Sequence, residues 1–137
     1  MADTIRKVAY YKTEVSNKAG EGARILGILK DAGVNLLAFS GFPSGRRAQI
    51  DFIPEDDAAF KTAAKKAGLK MGAKKTGFLV QGDDRVGAVS DIMTKVAEAG
   101  INITALDAIV AGGGRYGVIF WVKSEDVRKT AKLIGAS

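Results

Sequence analysis

The chain repeats itself at an offset of 67 positions, and this repeat limits the folds that it can adopt. Between residues 17 and 45, seven of 29 positions are identical to the residues found 67 positions further on. The identities include glycines in the same order, since Gly20 matches Gly87 and Gly33 matches Gly100. Because glycines that end helices or form turns recur together, the sequence predicts two similar modules of about 70 residues each.

Each module shows the same order of predicted helices and strands. Apolar residues spaced three and four apart predict helices near 20–32 and 87–99, and a second helix follows in each module after Pro54 and after Ser124. Runs rich in β-formers bounded by turn residues predict strands at 7–15, 34–42, 47–53, 69–75, 77–81, 101–110 and 116–123.

The order β-α-β-β-α-β, followed by β-α-β-β-α, is typical of the ferredoxin-like α+β fold. In that fold an antiparallel sheet carries two helices on one face. We therefore expect two such modules in tandem, module 1 at residues 1–75 and module 2 at residues 76–137. The second module lacks a segment for its last strand.

Composition removes most catalytic chemistry. The 137 residues include no Cys and no His, which excludes disulfides, thiolate nucleophiles, His general bases and nearly every zinc site. No run of about 18 apolar residues is present to span a membrane, and the first residues lack the apolar core of a signal peptide. We therefore expect a cytoplasmic protein that is not an enzyme and needs no cofactor or metal.

The loops between the first strand and the first helix of each module are the best candidate sites. They contain Asn17–Gly20 and Asp84–Gly87. Glycine lets the backbone approach a ligand closely, and the helix N-terminus that follows offers unpaired N–H groups to a carboxylate. We expect Asn35 and Asn102, which open the next strand, to reach the same clefts. Such groups suit a zwitterion; the alternative is that they only form turns and caps.

At these positions the sequence resembles the ACT domains, which are regulatory modules that bind amino acids. The resemblance rests on the loop Asn or Asp with its Gly, the apolar helix, and the Ala-Gly-Val/Ile-Asn run that opens the next strand. Two copies cover nearly all of residues 5–135, as in small stand-alone tandem ACT proteins. The resemblance implies a non-catalytic protein that binds an amino acid and regulates amino-acid metabolism through an enzyme partner.

The resemblance also implies which residues contact the ligand. They are Asn17, Lys18, Ala19, Gly20 and Asn35 in module 1, and Asp84, Arg85, Val86, Gly87 and Asn102 in module 2. The sequence departs from the family at the frequent Pro before the loop Gly, which is Ala19 or Val86 here. It departs again two residues after that Gly, where module 1 has Gly22.

A second reading comes from the RNA-recognition modules, which share the ferredoxin-like order. The strand from Arg115 to Trp121 lies in the correct element, with Tyr116 placed to stack a base, and the net charge is +6. However, the basic residue and the glycine of the motif are displaced, and Val118 stands where a second stacking aromatic is required. We therefore expect no nucleic-acid partner.

The sequence further predicts a homodimer. Without a fourth strand in module 2, the apolar strand at 77–81 is expected to expose one edge. Natural proteins rarely leave such an edge open, so either residues 69–75 or a second chain should cover it.

Overall fold

The structure is a computed structural model that describes residues 3–137, and its residues group into two compact units. The first unit is Ala9–Lys75. The second comprises the described residues through Val8 together with Thr76–Ser137. The predicted limits of 1–75 and 76–137 therefore differ from the structure at the start of the chain, because the residues before Ala9 fold with the second unit.

The helices and strands follow the predicted order, except that the strand predicted at 69–75 is absent. The strands are β1 (Thr4–Ser16), β2 (Leu36–Ser44), β3 (Arg47–Pro54), β4 (Lys75–Asp83), β5 (Ile103–Gly112) and β6 (Arg115–Val122). The helices are α1 (Glu21–Asp31), α2 (Asp57–Lys66), α3 (Ala88–Glu98) and α4 (Val127–Ile134), with a 3-10 turn at Ser124–Asp126.

In the first unit, the strand order is β2-β3-β1. β1 and β3 run antiparallel, with Tyr11 opposite Phe52 and Ser16 opposite Arg47. One face of these strands packs against α1 and α2 through a core of apolar side chains. The buried members of this core are Tyr11, Ile25, Leu29, Val34, Ile50, Phe52, Phe60 and Ala63.

In the second unit, the order is β1-β4-β6-β5, and the part of β1 before Ala9 provides the fourth strand. β4 and β6 run antiparallel, with Gly82 opposite Tyr116. The buried core is formed by Phe78, Val80, Ala88, Ile92, Val96, Ile101, Tyr116, Val118, Phe120, Val122, Ala131 and Ile134. The ferredoxin-like α+β order is thus confirmed, and the missing strand of module 2 comes from the start of the chain.

The edge of β4 is therefore not covered as the sequence predicted. The sequence predicted that residues 69–75 or a second chain would pair with this edge. Both predictions are wrong, because β1 is the strand next to β4. Residues 69–74 form no regular strand, although the Gly72 N–H donates to Lys12 O at 2.8 Å and Thr13 Oγ1 donates to Lys70 O at 2.6 Å. This segment thus runs beside β1 within the first unit.

The repeat is visible in the backbone hydrogen bonds. At the start of α1, the Arg24 N–H donates to Gly20 O at 2.9 Å. At the start of α3, the Asp91 N–H donates to Gly87 O at 3.1 Å. Both glycines have positive φ, 90° and 81°, which L side chains rarely adopt. The offset of 67 positions therefore reflects two copies of one strand-loop-helix geometry. Among residues 3–137, no helix has the length and apolar character needed to cross a membrane.

Candidate functional site

The first predicted loop turns sharply between β1 and α1. The Lys18 N–H donates to Ser16 O at 2.9 Å, and the Glu21 N–H donates to Lys18 O at 3.4 Å. Gly20 is the N-cap of α1, and no side chain caps this helix end. The first N–H groups of a helix have no partner within it, so the loop presents backbone donors and the positive end of the helix dipole.

Beside this loop lies a cleft of about 240 Å³, which we call the loop cleft. Its walls combine the loop and the start of α1 with β2 and β3. The lining residues are Val15, Ser16, Asn17, Lys18, Glu21, Gly22, Phe39, Gly41, Phe42, Pro43, Ala48 and Ile50. This volume lies below the range of about 300–1,000 Å³ that is typical of drug-sized ligands, so the cleft suits a small metabolite.

The loop cleft carries groups of both charges. Lys18 and the N-terminus of α1 are positive, whereas Glu21 is negative. A hydrogen bond from Arg24 lowers the pKa of Glu21, so this carboxyl group is ionised at neutral pH. On the opposite side, Phe39 and Phe42 are 38% and 46% exposed and form an apolar wall. The cleft therefore offers a cation, an anion and an apolar surface within one small space.

A second cleft, of about 440 Å³, lies in the same unit between β1 and the segment that follows α2. Its basic residues include Arg24 and Arg47. Arg24 is paired with Glu21 at 3.1 Å, and Arg47 lies 4.0 Å from Glu14. The predicted loop residues Asn17 and Lys18 line the loop cleft and not this second cleft, so the loop cleft is the better candidate for a ligand site.

The second predicted loop has the same backbone but different surroundings. The Asp84 N–H donates to Gly114 O at 2.8 Å, and the Val86 side chain is fully exposed. Arg85 Nη1 and Nη2 donate to the two oxygens of Asp3 at 3.3 and 3.2 Å. The Arg85 guanidinium also lies 5.9 Å from the centre of the Tyr116 ring. In this unit, therefore, a carboxylate of the chain itself occupies the helix-entry loop.

Asp3 and Gly82 are not among the site residues that the sequence predicted, and Tyr116 was predicted only as a residue that could stack a base. Asp3 lies 82 positions before Arg85, so no local spacing connects the two residues. The predicted strand at 77–81 stops just before Gly82, whereas in the structure Gly82 lies inside β4, where a glycine often marks a close approach of other atoms.

The structure does not bring Asn35 or Asn102 to these loops. Ser16 pairs with Arg47 at one end of β3, and Leu36 pairs with Pro54 at the other. These ends are seven residues apart, or about 23 Å at the usual rise of about 3.3 Å per residue. Asn35 instead donates to Glu55 Oε2 at 2.9 Å. Asn102 likewise lies at the far end of its sheet, next to Ile103 opposite Val122. We therefore leave both out of the candidate site.

The aromatic residues of β6 are not displayed as a stacking surface. Tyr116 is 4% exposed and Phe120 is fully buried, and both belong to the core of the second unit. RNA-recognition sheets stack bases on exposed rings, so this geometry disfavours that reading. Within the described residues, no cluster of acidic side chains has the arrangement of a metal site.

Comparisons with known proteins support the fold. A protein from Bacteroides thetaiotaomicron, BT0572, matches with a TM-score of 0.78 and 17% identity over 97% of this chain and 88% of its own. The ligand-free regulatory subunit of aspartate kinase from Thermus thermophilus matches with a TM-score of 0.65 and 15% identity over 98% and 95%. The chain has the tandem ACT-like fold. No protein-family model and no curated protein matches the sequence.

A third structure agrees with these two. The regulatory subunit of aspartate kinase from Thermus flavus matches with a TM-score of 0.60 and 17% identity over 98% of this chain and 94% of its own. Each of the three matches covers at least 97% of this chain and at least 88% of the other chain. The fold therefore extends over both units.

Proposed function

We propose that this protein is a non-catalytic regulatory module that binds an amino acid in the loop cleft of its first unit. The observation that carries the proposal is the composition of that cleft. Lys18 and the N-terminus of α1 suit a carboxylate, and Glu21 would share its carboxylate between Arg24 and the ammonium group of the ligand. Phe39 and Phe42 would then contact the side chain of the ligand.

A regulatory role fits the family of structures that share the fold. Regulatory subunits of aspartate kinase from two Thermus species have this architecture. We propose that the present chain acts in the same manner, transmitting the presence of its ligand to a separate enzyme. Ligand binding at the β1–α1 loop would fix that loop against β2, and the partner would read this change in packing.

We also propose that the protein forms a homodimer, for a reason other than the edge of β4. β5 is an outer strand of its sheet, and Ile109 and Val110 on it are 72% and 57% exposed. An exposed apolar edge strand is a template for pairing with a second chain.

A thermal-shift screen of the twenty amino acids tests the ligand proposal. A ligand present at 100 times its dissociation constant stabilises the native state by about 2.7 kcal/mol, which is easily detected. We expect one chemical group of amino acids to raise the melting temperature. The absence of stabilisation by all twenty would overturn the proposed ligand class.

A further inference from the structure

Four residues of the second unit form a compact polar pocket at the entrance of α3. Asp3 and Arg85 make a two-pronged ion pair, with Nη1–Oδ1 at 3.3 Å and Nη2–Oδ2 at 3.2 Å. The Asp3 side chain is only 13% exposed, and Arg85 lies over the face of Tyr116. Gly82, opposite Tyr116 in the sheet, leaves the space that the Asp3 carboxylate fills, since a Cβ at position 82 would overlap with Asp3 Oδ1.

Tyr116 adds a second hydrogen-bonding group to this pocket. The residue is 4% exposed, and its hydroxyl is buried with no hydrogen-bond partner among the described residues. Burial raises the pKa of Tyr116, and the neighbouring Asp3 carboxylate raises it further, so the hydroxyl is protonated and lies close to Asp3. Buried hydroxyl groups normally have partners, because an unsatisfied one costs about 1–3 kcal/mol. The pocket therefore places the Tyr116 hydroxyl beside Arg85 as a second group that faces the Asp3 carboxylate.

The first unit lacks this combination. At the positions offset by 67, Val15 replaces Gly82, Lys18 replaces Arg85 and Gln49 replaces Tyr116. The helix-entry backbone is nevertheless the same in both loops. All three residues that surround Asp3 are thus different at the matching positions of the first unit, which indicates a feature specific to the second loop.

We propose that the pocket formed by Gly82, Arg85 and Tyr116 is a carboxylate-binding site, and that Asp3 fills it as an internal ligand tethered to β1. The inference rests on the proposed function, because it treats the second loop as the counterpart of the first. A guanidinium that donates two parallel hydrogen bonds is well matched to a carboxylate, and a protonated tyrosine adds a third donor.

Tethering explains why the second loop is closed while the first is open. A group on a short tether competes with free ligand at an effective concentration in the millimolar range. A free carboxylate therefore enters the second site only when it exceeds that concentration or when Asp3 is withdrawn. Withdrawal of Asp3 would then expose a second site, and this couples the position of Asp3 to ligand uptake.

The test uses the full chain with Asp3→Ala and sodium acetate as the probe, with sodium chloride at equal ionic strength as the control. NMR of the Arg85 Nε–H signal reports occupation of the pocket. In Asp3→Ala we expect a saturable acetate-dependent shift and a rise in melting temperature, whereas the unaltered protein needs about 10-fold or more acetate for the same response. Adding Arg85→Ala to Asp3→Ala should abolish both responses.

Asp91→Ala is the matched control, because Asp91 is a second carboxylate that lies 3.9 Å from Arg85 but is mostly exposed. This variant keeps Asp3 in place and should behave like the unaltered protein. If Asp3→Ala does not fold, the nearly isosteric Asp3→Asn takes its place, with an acetate affinity expected to rise about 10-fold or more.

A folded Asp3 variant whose Arg85 signal is indifferent to acetate up to about 100 mM, far above the tethered concentration, would overturn the proposal. This result leaves the first unit untouched, because binding there is measured separately with amino acids and with Asn17→Ala.

Discussion

The Asp3 carboxylate lies in the space that a side chain at position 82 would fill. A Cβ at Gly82 would overlap with Asp3 Oδ1 and would come within 3.0 Å of the Tyr116 ring. Gly82 has no positive φ, so its backbone conformation accepts other residues. The glycine is therefore required by the neighbouring carboxylate and not by its own backbone.

This relationship predicts a non-additive pair of substitutions. Gly82→Ala should displace Asp3 from Arg85 and lower the free energy of unfolding by about 1–3 kcal/mol, because the new methyl group and the carboxylate compete for one space. In an Asp3→Ala background the same change should cost clearly less. Urea unfolding of the four proteins gives the coupling, and equal costs in both backgrounds would contradict the contact.

The loop cleft predicts a difference between two asparagines. Asn17→Ala should weaken binding of the amino acid found in the thermal-shift screen by about 1–3 kcal/mol, through loss of a polar partner. Asn35→Ala is the matched control, since Asn35 lies at the far end of the sheet and bonds to Glu55. Calorimetry should show unchanged affinity for Asn35→Ala. Equal losses in the two variants would place the site elsewhere.

The Tyr11 hydroxyl donates to Asp57, which also pairs with Lys74 at 3.0 Å. Tyr11→Phe should lower the free energy of unfolding by about 1–3 kcal/mol, because it removes a hydrogen bond to a charged group. Tyr116→Phe is the comparison, since its hydroxyl makes no hydrogen bond of normal geometry within the described part of the chain, and it should cost less stability than Tyr11→Phe. A larger loss for Tyr116→Phe than for Tyr11→Phe would reverse this assignment.

The same contact makes part of the stability dependent on pH. Burial alone would raise the pKa of Asp57, but the hydrogen bonds from Tyr11 and Lys74 together lower it below its ordinary 3.8. A lowered folded-state pKa gives stability that is fully present above the unfolded value and is lost as the pH falls through the folded value. The difference in unfolding free energy between the unaltered protein and Tyr11→Phe should therefore be constant from about pH 7 to 5 and shrink below about pH 4. A difference that grows on acidification would disprove this account.

The exposed edge of β5 predicts how the homodimer can be disrupted. Ile109→Lys places a charge on the apolar edge and should yield a monomer near 14.4 kDa in sedimentation experiments at tens of micromolar, whereas the unaltered protein sediments as a dimer. Leu133→Lys is the control, because this partly exposed apolar residue lies on α4 and not on an edge strand. A monomeric unaltered protein would refute the dimer itself.

The sequence by itself determined the order of elements and the local geometry of the loops. Helix periodicity, β-rich runs and glycines such as Gly20 and Gly87 act over a few neighbouring residues, and apart from the strand predicted at 69–75 the structure has these features where they were predicted. The offset of 67 positions also revealed the two modules, because repeated local signals imply repeated supersecondary structure.

Only the tertiary structure decided which residues meet at the ends of the sheets. Asn17 and Asn35 lie near opposite ends of β3, which are about 23 Å apart. The two residues therefore do not share a cleft, although each lies next to one end of α1. Likewise, nothing in the sequence connects Asp3 with Arg85 or assigns the start of β1 to the second unit. Pairing between distant strands depends on which edges are free once every other element has packed, and that choice is made by the whole fold.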